Sequence, residues 1–158
     1  MENAFSLIEL QSQMLAQQAA AEVLACNEVS GRYGLQLTDA EARELVEYRA
    51  AALKNTGRVE FSGGVLPKLI RAFCDSPYLD PENYESTLID LQEAFYYFKS
   101  ESEDRFTDDE LIEYMAKVFN GRAQGSAEYL IGTSLEALCR YANRGDAPQN
   151  ADEAGDWF

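Results

Sequence analysis

The chain has 158 residues, 46% of them hydrophobic, and 28 acidic against 13 basic groups give a net charge of −15. That length suits one domain with a core that needs no disulfide or metal, and there is no run of 18 apolar residues to cross a membrane. So acidic a surface repels phosphate backbones, which argues against nucleic acid and suits a basic partner or a cation.

Leu7, Leu10, Met14, Ala21 and Leu24 alternate in spacings of three and four, which predicts a long first helix from about residue 4 to 28. Its middle is polar and then alanine-rich, so it is expected to pack thinly. Ser30-Gly31 and Gly34 end it. Thr38-Asp39-Ala40-Glu41 reads as a capping box, with hydroxyl and carboxylate each bonding the other's backbone N–H. The second helix runs from there to Gly57, a left-handed stop, with Ala42, Val46, Ala50 and Leu53 inward. Arg58-Val59-Glu60-Phe61 alternates polar and apolar, which suits a very short extended segment.

A third helix over about 65–74 carries Val65, Leu66, Leu69, Ile70 and Phe73, with Pro67 in its first turn. Asp80-Pro81-Glu82 signals the next start, and Tyr84, Leu88, Leu91, Phe95 and Phe98 mark four turns of the clearest helix. A second capping box, Thr107-Asp108-Asp109-Glu110, opens a helix to Gly121 with Leu111, Ile112, Met115, Val118 and Phe119 inward. A last helix spans about 126–142, with Ile131, Leu135 and Leu138 on one face. Residues 145–158 are polar and acidic until Trp157-Phe158, and are expected to form a disordered tail. The expected fold is all-α: one domain of about six helices over residues 1–144.

Between residues 93 and 115 the chain resembles an EF-hand in length and apolar pattern. The twelve-residue loop would run from Lys99 to Glu110, with Glu101 and Glu103 at the third and fifth ligand places and Glu110 at the bidentate twelfth. Lys99 puts an ammonium at the first place, and Asp104 replaces the turn glycine. Upstream, residues 55–63 echo half of such a loop without its acids, Gly57 making the turn. Were the two loops paired, Val59 would meet Phe106 in a short antiparallel bridge. Thr107 and Glu110 are equally explained by the capping box, so the metal assignment is none, with Glu101, Glu103 and Glu110 as weak candidates.

Without histidine, the commonest general base and metal ligand is missing. The odd, scattered Cys26, Cys74 and Cys139 show no zinc spacing and suggest buried thiols in a reducing cytoplasm. The start Met1-Glu2-Asn3 lacks the basic residues of a secretory signal. No phosphate-binding or dinucleotide pattern surrounds Gly63-Gly64, and no cofactor is implied. Tyr96 and Tyr97 flank the inward Phe95 and Phe98, so at least one should reach the surface. With Trp157 and Phe158 they are the partner-contact candidates. Lys68 and Arg71 could complement the acidic stretch 80–113, which holds 12 acids against Lys99 and Arg105.

The strings Gly57-Arg58-Val59-Glu60-Phe61, Gly64 through Pro77, and Glu93 through Lys99 resemble a family of small uncharacterised proteins of anaerobic Gram-positive bacteria, classed as a domain of unknown function. The resemblance covers residues 33–140. It implies a bacterial cytoplasmic origin and transfers no activity, ligand or catalytic residue. Three functions therefore stand open: a non-catalytic protein-interaction module, which leads; a weak divalent-cation binder; and an enzyme working with carboxylates alone.

Overall fold

The computed structural model describes residues 2–61 and 63–144, with side chains from residue 7 to 143. α1 (Glu2–Ala25) passes through the short α2 (Asn27–Ser30) and one 3-10 turn (Gly31–Tyr33) to α3 (Asp39–Thr56). α4 (Leu66–Phe73), α5 (Tyr84–Glu101) and α6 (Asp108–Asn120) follow. The last helical stretch comprises α7 (Ala127–Tyr129), a π-helical segment (Leu130–Leu135) and α8 (Glu136–Arg144). No strand occurs among the described residues, and the domain is all-α. No helix among them is long and apolar enough to cross a membrane.

Both capping boxes form. Thr38 Oγ1 accepts from Glu41 N at 3.1 Å while Glu41 Oε1 accepts from Thr38 N at 2.9 Å. Thr107 and Glu110 repeat the exchange at 3.1 and 3.0 Å. Gly57 ends α3 in the left-handed region at φ 66°, which costs a residue with a Cβ about 1 kcal/mol or more. Pro67 sits in the first turn of α4, where its missing N–H removes no helical bond. Asp80 does cap, accepting from Glu82 N and Asn83 N at 2.9 Å each, but it closes a turn and α5 starts only at Tyr84.

Two apolar clusters make one core because α4 and α5 belong to both. Leu66 and Ile70 of α4 pack with Leu88 of α5, Ala42 and Leu45 of α3, and Ala19 and Val23 of α1. Leu69 and Phe73 turn the other way, onto Phe95 of α5, Leu111, Met115 and Phe119 of α6, and Leu135. An eight-residue helix buried on two sides explains its dense apolar content. Phe73 and Phe119 meet edge to face with centroids 5.4 Å apart, a geometry that sets positive ring edge against negative ring face.

Three elements depart from their spacing. In α1, Leu7, Leu10 and Met14 are exposed, and the buried residues are Ala19, Ala20, Val23 and, just beyond its end, Cys26. The spacing finds a helix face but not its neighbour, because nothing among the described residues covers that face. In α3, Ala50 is exposed and Leu53 only half-buried, while Leu45, Arg49 and Ala52 are buried. The last helix is not one α-helix: the π turns place Leu130 and Leu135, five apart, both in the core, and leave Ile131 half-buried. α1 also breaks at Cys26, where Asn27 clasps Leu37. Its Nδ2 donates to Leu37 O at 2.9 Å and its Oδ1 accepts from Leu37 N at 2.8 Å, which holds the intervening loop against α2.

Candidate functional site

The α3–α4 loop and the α5–α6 loop lie side by side at one end of the domain. Arg58 joins them. Its Nε donates to Ser100 Oγ at 3.0 Å, and its Nη2 stands 2.6 Å from Asp104 Oδ1. Glu60 turns inward as well, accepting from Val65 N at 3.4 Å and from the hydroxyl of Tyr96. Arg49, only 8% exposed, borders Gly64 together with that carboxylate: a Cβ on Gly64 would lie 3.2 Å from Arg49 Nη1 and overlap Glu60 Oε1. The alternation over residues 58–61 is therefore inverted. The charged side chains are bonded within the protein, while Val59 and Phe61 stand 80% and 81% exposed. The Val59–Phe106 bridge does not form, because the charged side chains of this segment find stronger partners than its apolar ones.

The second loop carries its own cation. Lys99 is 8% exposed; its Nζ donates to Phe106 O at 2.5 Å and lies 2.9 Å from Asp108 Oδ1. Glu110 is committed to its cap, and the bond from Thr107 N, followed by that from Thr107's side chain, holds its carboxyl below the usual glutamate range. Glu101 and Glu103 are exposed, and Glu103 and Asp104 take left-handed backbone at φ 55° and 58°. Among the described residues no group of three or more carboxylate or thiol side chains is placed to hold a metal ion. Lys68 pairs with Asp109 at 3.0 Å within the fold.

A groove of 490 Å³ opens between α3 and α5. Ala51 and Ala52 of α3 and Ala94 of α5 keep it wide, and Asn55 and Thr56 close one end at the negative terminus of the α3 dipole. On the α5 wall Asp90, Glu93 and Tyr97 fall at i, i+3 and i+7, one helical stripe, and all three are exposed. Partial burial of Asp90 raises its carboxyl above the usual aspartate range. The groove is thus a negatively charged slot with a tyrosine at its rim.

Of the two tyrosines expected to contact a partner, Tyr97 is exposed and stands on this groove; Tyr96 is buried at 1% exposure. Tyr96, one residue back and about 100° round the helix, lines the floor of the same groove and directs its hydroxyl inward to Glu60. Burial first, and then donation to Glu60, push its phenol above the ordinary tyrosine range. Trp157 and Phe158, with the whole 145–158 tail, lie outside the described residues. Sequence reasoning missed the Arg49–Glu60–Tyr96 cluster. The available signal is Arg49 itself, a cation in register with Ala42 and Leu45 on the inner face of α3.

Geometry and charge define an all-α domain with two adjoining helix–loop–helix units and an acidic groove beside them. Its relationships agree with that description: a model of the family of unknown function DUF6323 matches residues 22–147, and the chain belongs to that family. No curated protein and no solved structure matches it.

Proposed function

We propose that this chain is a non-catalytic cytoplasmic protein-interaction module whose α3–α5 groove receives a basic segment of a partner protein. The observation that carries the reading is the stripe Asp90, Glu93, Tyr97 along one wall of the groove. A lysine or arginine entering it would meet two carboxylates and the end of the α3 dipole, and would have an aromatic face for its stem or its charge. The net charge of −15 would steer such a partner toward the domain from a distance.

Two other readings have less support. A divalent-cation site over Glu101, Glu103 and Glu110 meets the ammonium of Lys99 and a Glu110 already bonded to Thr107. Carboxylate-only catalysis needs several acids with raised pKa in one concave site. Asp90 is the raised acid lining the groove, and Glu85, raised by burial and by Glu44 and Glu41, does not line it.

Affinity capture from the native host tests the proposal, using the wild-type chain and a folded Asp90→Asn, Glu93→Gln, Tyr97→Ala variant as baits. A protein retained by the wild type, released by salt and absent from the variant supports it. Equal retention by both baits, or none by either, refutes it.

A further inference from the structure

α1 is longer than the domain it belongs to. Every residue from Leu7 to Gln18 is exposed, and this half of the helix borders the body only through Gln13, Ala16 and Gln17 at a groove against α3. Yet it carries Leu7 at 62%, Ile8 at 60%, Leu10 at 54%, Met14 at 58% and Leu15 at 55% exposure. An isolated helix of this length is marginal in water, and an uncovered row of large apolar side chains gains nothing from solvent. The projecting half also precedes residue 22, where the family match begins.

We propose that a second copy of this chain covers this face, the two α1 helices pairing antiparallel about a two-fold axis. Charge favours a like partner. Residues 10–21 hold no ionisable side chain, the longest such run in α1, so two copies can meet there without repulsion while a basic protein finds nothing to pair with. Antiparallel pairing also sets the two bodies, each at −15, at opposite ends of a helix pair about 36 Å long. The stripe has the period for it: Leu7, Leu10, Met14, Gln17, Ala21 and Leu24 keep the 3-4 spacing of a two-helix seam.

Its far end runs into a groove of 510 Å³ between α1 and α3, lined by Gln17, Ala21, Leu24 and Val46. That groove continues the apolar stripe of α1 toward the body, where the start of the partner's helix would lie. The groove's α3 wall carries Arg43 with Asp39 and Glu47, and the start of the partner's helix brings the acids Glu2 and Glu9 and no base, so the apolar lining and not charge favours the partner at this end. Five side chains losing about 100 Å² each in both copies remove on the order of 1,000 Å², the threshold of a specific interface. A membrane surface is the poorer occupant, since α1 has no lysine or arginine to meet anionic lipid.

Sedimentation velocity of the full chain, over concentrations rising through the micromolar range, tests this. The wild type should reach twice its 17.7 kDa mass. Leu10→Gln with Met14→Gln keeps helix-forming side chains at two exposed positions outside both core clusters, and should raise the dissociation constant about tenfold or more with the melting of the isolated domain unchanged. A wild type that stays monomeric, or a variant that dimerises equally well, overturns the proposal. So does a wild-type monomer that floats with phosphatidylcholine–phosphatidylglycerol vesicles while the variant does not, because lipid then covers the face.

Discussion

Tyr96→Phe isolates one bond of the buried polar cluster. The ring stays and its packing is retained, including the edge-to-face contact with Phe95 at 5.3 Å between centroids. What is lost is a hydroxyl that donates to the carboxylate of Glu60 in a site where Tyr96 is 1% exposed. Hydrogen bonds to charged groups contribute about 1.5–3 kcal/mol. Glu60 Oε1 keeps the long bond from Val65 N at 3.4 Å and its place beside Arg49, so the loss should be about 2 kcal/mol, near the middle of that range. In a domain of this size that lowers the melting temperature by about 4–8 °C. Urea denaturation followed by circular dichroism measures the free energy, and a cycle with Glu60→Gln assigns it: the two losses should couple rather than add. A Tyr96→Phe change within experimental error of wild type, or strict additivity with Glu60→Gln, would refute the placement of this bond.

Glu85→Gln should stabilise the domain at pH 7. Burial, then the charges of Glu44 and Glu41, raise the folded-state pKa of Glu85 above its unfolded value, so the native state carries a penalty at neutral pH that fades as pH falls through the raised pKa. The melting temperature of the variant should exceed wild type at pH 7, and the gap should close toward pH 4; no gap at pH 7 contradicts the reading. Gly64→Ala places a Cβ on left-handed backbone at φ 58° and into Glu60 Oε1, at a cost of about 3 kcal/mol, readable as a shifted denaturation midpoint. All three cysteines are buried, and burial raises each thiol, Cys139 to about 11. A disulfide reagent at pH 8 should label them only as fast as the domain opens, and all three at once in denaturant.

Much of this fold is local physics and reads directly from the chain. Thr38 with Glu41 and Thr107 with Glu110 can satisfy free N–H groups only at helix starts, and Gly57 can supply a left-handed stop at little cost. The 4-3-4-3 spacing from Tyr84 to Phe98 needs only the pitch of a helix to make an apolar face, and those residues are buried as their period requires. Tertiary structure alone decided which faces found partners. Leu7, Leu10 and Met14 share the periodicity of core residues and remain exposed, while Arg49 and Lys99 are charged and nearly buried. Residues 58–61 show the same division: alternation settled that neighbours point opposite ways, and the positions of Tyr96, Ser100 and Asp104, some 40 residues on, settled which pair turned inward. The reason is physical. Periodicity and capping depend on bonds within a turn or two of backbone, whereas burial depends on what distant chain brings into reach, and that is fixed only when the helices pack.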